Sequence, residues 1–169
     1  FYGGAGPTWS RRTSEAICQR FLARRRYVAG VDFHTGLGPH GYGDPICHHP
    51  LGSPALARAT AWYGDSLTGS TLGTTSSFAR DGLSGVGYVR ALPGVEVNFV
   101  TLEYGTYPRE QGHKAFREDH WLHRMANAGA LGTEKGRRIK AQIRNQFYPD
   151  TDAWKEMVLW RAFQVVRQT

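Results

Sequence analysis

The chain has 169 residues, of which 40% are apolar and 12% aromatic; this suits one globular domain with a buried core and excludes a disordered chain. Lysine and arginine outnumber aspartate and glutamate by 21 to 14, which gives a formal net charge of +7. No apolar run approaches the roughly 18 residues of a membrane span, and no basic-then-apolar leader is present. A membrane partner is therefore not expected, and the compartment is left open with the cytoplasm slightly favoured.

Hydrophobic periodicity and turn residues predict helices and strands that alternate along the chain. In chain order we expect a helix from Ser10 or Thr13 to about Arg26, a strand at 27–33, an ordered loop at 34–53, a helix at 53–63, a loop at 64–85, strands at 87–92 and 95–105, and helices from Pro108 to about Asn127, Thr133 to Phe147 and Asp152 to Gln168. This alternation argues for a layered α/β domain.

Two sequence motifs resemble known sites and are discounted. Gly36, Gly38 and Gly41 form a G-x-G-x-x-G pattern, but no helix begins in the loop to supply the amide groups that hold a pyrophosphate. The GDSL segment at 64–67 matches an esterase block in which Ser66 would be the nucleophile. A helical pattern precedes that segment where a strand is expected, so a serine esterase is kept only as the alternative function.

Histidines and basic residues raise two further possibilities. His120 and His123 lie three apart on one helix face and could chelate a metal, although satisfied histidines at a helix end are the preferred interpretation. Basic residues cluster at 11–12, at 24–26 and in EKGRRIKAQIR. No aromatic interleaving or nucleic-acid-binding motif accompanies them, so solvated helix faces are favoured over nucleic acid, and a basic binding module is the second alternative.

Three side chains near the ends of predicted strands are the best candidates for chemistry. Asp32 and His34 are two apart on a strand and so share a face, and Glu103 ends the apolar strand VEVNFVTLEYG. A carboxylate among apolar residues needs a cation, a water or hydrogen-bond donors, and a salt bridge to an arginine is the plain alternative. The pattern favours His34 as a metal ligand, Glu103 as a general base and Asp32 as a carboxylate that orients a ligand.

The same segments carry a family resemblance. In this order, YGGAGPTWS, VDFHTGLGPHGYGD, YGD, LEYGTYP and REDHWLH resemble the C-terminal part of domain-of-unknown-function family 2817. That family is similar to zinc carboxypeptidases and to the succinylglutamate desuccinylase and aspartoacylase group. The resemblance implies a three-layer α/β/α fold around a central mixed sheet, with peptides or acyl-amino acids as substrates.

The resemblance also implies roles for His34 and Glu103. His34 matches a zinc-binding histidine at a strand end, and Glu103 matches the glutamate that takes a proton from water and passes it to the leaving amine. The other two zinc ligands belong to an H-x-x-E motif, which does not occur in these 169 residues. We therefore expect residues 1–169 to be the C-terminal portion of a single zinc-hydrolase-like domain whose upstream portion is absent, and to be inactive by themselves.

Overall fold

The structure is a computed structural model that describes residues 4–75, 82–124 and 129–169. Its helices are α1 (Trp9–Phe21), α2 (Pro54–Tyr63), α3 (Ser84–Ala91), α4 (Arg109–Arg124), α5 (Glu134–Phe147) and α6 (Asp152–Gln168), and its strands are β1 (Tyr27–His40), β2 (Gly43–Cys47), β3 (Thr68–Gly69) and β4 (Glu96–Gly105). The four strands form a mixed sheet in the order β1-β4-β2-β3. The predicted α/β class is thus confirmed.

The chain divides into two compact units, and the boundary passes through β1, β2 and β4. The described residues of the first unit are 4–32, 46–75 and 82–101, together with Thr169. Its core cluster contains Cys18 of α1, Leu92 and the β4 residues Val97 and Phe99. In this unit the end of β2 pairs in parallel with β3, so that Cys47 lies opposite Gly69.

The described residues of the second unit are 33–45, 102–124 and 129–168. In this unit, helix α6 is bound to strand β4 by hydrogen bonds between a side chain of one element and a backbone carbonyl of the other. The indole of Trp154 donates to the Gly105 carbonyl at 3.0 Å, and the Tyr104 hydroxyl donates to the Val158 carbonyl at 3.0 Å. These bonds fix the end of β4, which is where Glu103 lies.

Most of the predicted helices and two of the three predicted strands, 27–33 within β1 and 95–105 as β4, are confirmed. Helix α2 begins after Ser53, whose hydroxyl accepts from Leu56 N, and α5 begins after Thr133, whose hydroxyl accepts from Gly136 N. The predicted bounds of α6 are observed, and β4 occupies 96–105. Helix α4 is described as far as Arg124; the rest of its predicted span, 125–127, lies outside the described residues. None of the described helices is both long and apolar enough to cross a bilayer.

The first helix differs from its prediction at both ends. Thr8, not Ser10 or Thr13, is the N-cap residue, and its side chain accepts a hydrogen bond from Arg11 N. The helix ends at Phe21, five residues before the predicted end at Arg26. Arginines at 24–26 have good helix propensity, but propensity is a weak prior that tertiary structure overrides.

The segment GYVRAL, predicted as a strand, is instead helical. It overlaps α3, Ser84–Ala91, in which Gly85 is buried against the ring of Phe99. Six apolar-rich residues fit either period, so their pattern cannot separate a strand from a buried helix. Part of the predicted loop at 64–85 is also structured, as the short strand β3, while 76–81 lie outside the described residues.

The predicted loop at 34–53 contains strand structure that the sequence pattern missed. Strand β1 continues to His40, and β2 occupies 43–47 with all five residues buried. A strand buried on both faces shows no alternation of polar and apolar residues, so period-based reasoning does not detect it. His34 therefore lies within β1 and not at its end, which corrects the prediction.

Candidate active site

Strands β1 and β4 bring His34 and Glu103 together in the second unit. Nδ1 of His34 lies 3.8 Å from Oε2 of Glu103, an ion-pair distance if the imidazole is protonated. The two side chains differ in exposure, because 47% of the His34 side chain is accessible and only 8% of the Glu103 side chain. The pair thus presents an accessible imidazole beside a carboxylate sheltered in the sheet.

The carboxylate of Glu103 is positioned by the backbone. The N–H of Leu37 donates to Oε1 of Glu103 at 3.2 Å, while Oε2 faces His34. A buried carboxylate without such donors would be costly, and a backbone donor stabilises its charged form. The two oxygens therefore have different surroundings, and the carboxylate is held in one orientation.

A cavity of about 380 Å³ adjoins this pair through Leu37. Its walls are residues 36–40 of β1 and 106–109 after β4. Nδ1 of His40 donates to the Thr106 carbonyl at 2.7 Å, and the His40 ring lies 5.9 Å from the ring of Tyr107. The sequence analysis did not predict this cavity. The available signal was that two segments rich in glycine, proline and aromatic residues, GPHGYG and EYGTYP, lie close to the two candidate residues along the chain.

Glycine is required where β1 passes α5. Gly36 has a φ of +129°, and a Cβ placed on it would lie 2.7 Å from the Phe147 ring. The neighbouring Thr35 hydroxyl donates to the Phe147 carbonyl at 2.7 Å, which keeps the strand against the helix. The glycines after His34 thus serve close packing and positive φ angles, and no helix begins among them.

Asp32 lies in the first unit, on the same strand as His34. Its Oδ2 accepts a hydrogen bond from the Ser84 hydroxyl at 2.9 Å. This bond ties β1 to the first turn of α3. The proposed role of Asp32 in orienting a metal ligand stays a prediction.

Ser66 and His123, also considered from the sequence, have structural partners. The Ser66 hydroxyl donates to the Tyr63 carbonyl at 2.7 Å, and helix α2, not a strand, precedes the GDSL segment. His123 accepts from Lys140 at 3.3 Å and lies 3.8 Å from Asp119. The Ser66 hydroxyl is thus engaged by the backbone, and the contacts of His123 agree with a satisfied histidine at the end of a helix.

His49 is a buried histidine with a structural role. Its Nε2 accepts a hydrogen bond from the Phe99 N–H at 3.1 Å, and burial lowers the pKa of its imidazole. The backbone N–H of His49 donates to Sγ of Cys47 at 3.4 Å, and burial raises the pKa of the Cys47 thiol. Cys47 and His49 are thus core residues, and Nε2 of His49, as a hydrogen-bond acceptor, carries no proton.

A zinc ion needs more ligands than these residues provide. Structural and catalytic zinc sites use at least three protein ligands. No group of three or more histidine, cysteine, aspartate or glutamate side chains converges within the part of the chain that the structure describes. His34 fits as one such ligand, because its imidazole is accessible and adjoins a carboxylate, and two further ligands would have to join it.

Comparison with known proteins identifies a family and no function. The sequence model of the family described as "Protein of unknown function (DUF2817)" matches residues 1–161. No curated protein and no solved structure matches the chain.

Proposed function

This chain belongs to the DUF2817 family, and we propose that it forms part of a zinc-dependent hydrolase of the carboxypeptidase-like type. The substrate would be a peptide or an acyl-amino acid, and the bond cleaved an amide. The observation that carries the proposal is the pairing of an accessible His34 with a sheltered Glu103 at 3.8 Å. The three-layer, zinc carboxypeptidase-like form of the fold belongs to the same proposal.

Glu103 is suited to be the general base. Its carboxylate is buried on one side and fixed by the Leu37 N–H through Oε1, which leaves Oε2 on the side of His34. In hydrolysis of an amide, Oε2 would accept a proton from the attacking water and donate it to the leaving nitrogen. Holding the carboxylate in one orientation reduces the reorganisation that this transfer requires.

His34 is suited to be the metal ligand. Zinc, when bound, supplies Lewis acidity that makes water a better nucleophile and polarises the scissile carbonyl. His34 would provide one neutral nitrogen to it, and an H-x-x-E motif from outside these 169 residues would provide the other two ligands. Residues 1–169 by themselves are accordingly expected to hydrolyse nothing.

The test separates the two roles by substitution in the full-length protein. His34→Ala should lose most of the bound zinc together with hydrolysis, measured by metal analysis and an amide-cleavage assay. Glu103→Gln should keep its zinc and lose about 10²–10⁴-fold in turnover, the usual contribution of a general base. Glu96→Gln is the matched control, because Glu96 begins the same strand and pairs with Arg58 at 2.9 Å.

Two results would contradict the assignment. If His34→Ala retains both zinc and activity, His34 is not a ligand. If Glu103→Gln hydrolyses its substrate as fast as Glu96→Gln, the general base is another group.

A further inference from the structure

Residues of helices α4 and α5 line a second, solvent-exposed cavity in the second unit, and neither His34 nor Glu103 lines it. The volume of this cavity is about 620 Å³, within the range of small-molecule sites. Lys114 and Arg117 reach it from α4, and Lys135 and Arg138 reach it from α5. We call this feature the α4–α5 groove, and it concentrates four cations from two helices around one space.

Three of these cations have no anionic partner in the part of the chain that the structure describes. Lys114, Arg117 and Arg138 make no ion pair and no side-chain hydrogen bond with described residues. The opposite situation occurs on the same two helices, where Lys140 of α5 lies 2.8 Å from Asp119 of α4. An ion pair thus forms between α4 and α5, whereas Lys114, Arg117 and Arg138 have none with any residue that the structure describes.

The fourth cation is held over an aromatic ring. Nζ of Lys135 lies 4.0 Å from the centroid of the Trp121 ring, a cation–π contact. This contact orders the ammonium group at the groove without neutralising its charge. A ligand that enters the groove thus meets Lys135 and Arg138 on α5, and two further cations on α4.

The charge balance of the groove indicates what it would bind. Four cations and the two carboxylates of Glu110 and Glu118 line it, so their formal charges sum to +2 with His113 neutral. Bringing like charges together around one cavity is unfavourable, and a bound anion relieves that repulsion. Guanidinium groups bind phosphate and carboxylate oxygens in pairs, which suits a compact oxyanion.

We propose that the α4–α5 groove is a binding site for a small dianion carrying a phosphate group or two carboxylates. Binding in this groove does not depend on the proposed hydrolase site, because neither His34 nor Glu103 lines it. It also gives a role to the basic segment EKGRRIKAQIR, for which the sequence favoured a solvated helix face over a basic binding module.

The test is calorimetric titration of the full-length protein at constant ionic strength. Inorganic phosphate and glutarate are the two probes, and glutaramide is the uncharged counterpart of glutarate. At least one dianion should bind and glutaramide should not; the dianion that binds more tightly identifies the phosphate or the dicarboxylate source. Arg117→Gln with Arg138→Gln should weaken binding about tenfold or more.

Two further variants make the result specific to the groove. Arg24→Gln with Arg90→Gln removes the same charge from exposed positions in the first unit and should leave the affinity unchanged. Glu110→Gln with Glu118→Gln should tighten binding, since it removes both groove carboxylates. The proposal is overturned if neither dianion binds, if the Arg24/Arg90 variant loses as much affinity as the Arg117/Arg138 variant, or if duplex DNA alone binds.

Discussion

Tyr104 offers a quantitative test of how the end of β4 is held beside the candidate site. Its ring is 1% exposed, and its hydroxyl donates to the Val158 carbonyl of α6. Burial raises the pKa of Tyr104 from 10.0 to about 12, although Arg161 nearby acts in the opposite direction. Tyr104→Phe keeps the buried ring and removes both the hydrogen bond and the titrating group.

The expected effect of Tyr104→Phe changes with pH. At pH 7 the variant loses one hydrogen bond, which costs about 1 kcal/mol in the free energy of unfolding. A raised folded pKa means that the hydroxyl stabilises fully below pH 10 and that this contribution is lost as pH rises towards 12. By pH 11 ionisation of Tyr104 in the unfolded chain should have lowered the free energy of unfolding of the wild type by about 1.4 kcal/mol. The variant lacks this group, so the free energies of unfolding of the two proteins should become equal or change order.

Urea unfolding of wild type and variant at pH 7, 9, 10 and 11 measures this difference directly. Tyr42→Phe is the control, because Tyr42 is about half exposed and its hydroxyl loss should change stability by less than about 0.5 kcal/mol. A stability difference between wild type and Tyr104→Phe that stays constant from pH 7 to pH 11 would refute the reasoning. It would mean that the hydroxyl ionises in the folded protein as easily as in the unfolded chain.

Two other predictions concern the core and the path of β1. His49→Gln keeps an acceptor for the Phe99 N–H. Because the imidazole of His49 has a lowered pKa in the folded protein, the wild type should lose stability as pH falls below about 6.5, and the variant should not. Denaturant unfolding at pH 5 and pH 7.5 would show this difference. Gly36→Ala should destabilise the protein by about 1–3 kcal/mol in thermal unfolding, since the φ of +129° at this position and the Phe147 ring both oppose a Cβ. Gly87→Ala, in a helix with open space around it, should be neutral or stabilising by up to about 1 kcal/mol. Equal effects of the two substitutions would contradict this explanation.

The sequence was informative where local signals and packing agree. Ser53 and Thr133 cap helices that begin where their hydroxyls predict, and the long apolar run from Val95 predicted β4. The wrong predictions concern segments that are short or buried on both faces. GYVRAL is helical, and GDPIC is a strand without alternation of polar and apolar residues. In both, tertiary contacts with β4 and its neighbours decide the structure, and a single sequence does not display them.

The candidate site shows the same division. The residue types at 34 and 103 could be selected from the sequence because a polar group in an apolar strand requires an explanation. Their separation of 3.8 Å, the Leu37 N–H bond and the cavity beside them depend on strand pairing. The α4–α5 groove could not be predicted from the sequence for a related reason. Its cations lie on two helices, and their spacing within each helix resembles an ordinary solvated face.

The bond from Leu37 to Glu103 gives position 37 two separate functions. The main chain supplies the N–H, and nineteen of the twenty amino acids could therefore maintain it, proline being the exception. Residue 37 also lines the adjoining 380 Å³ cavity, so a change of its side chain acts there and not on the N–H. In a saturation library, position 37 would thus allow the shape of that cavity to be redesigned while the carboxylate beside it keeps its orientation.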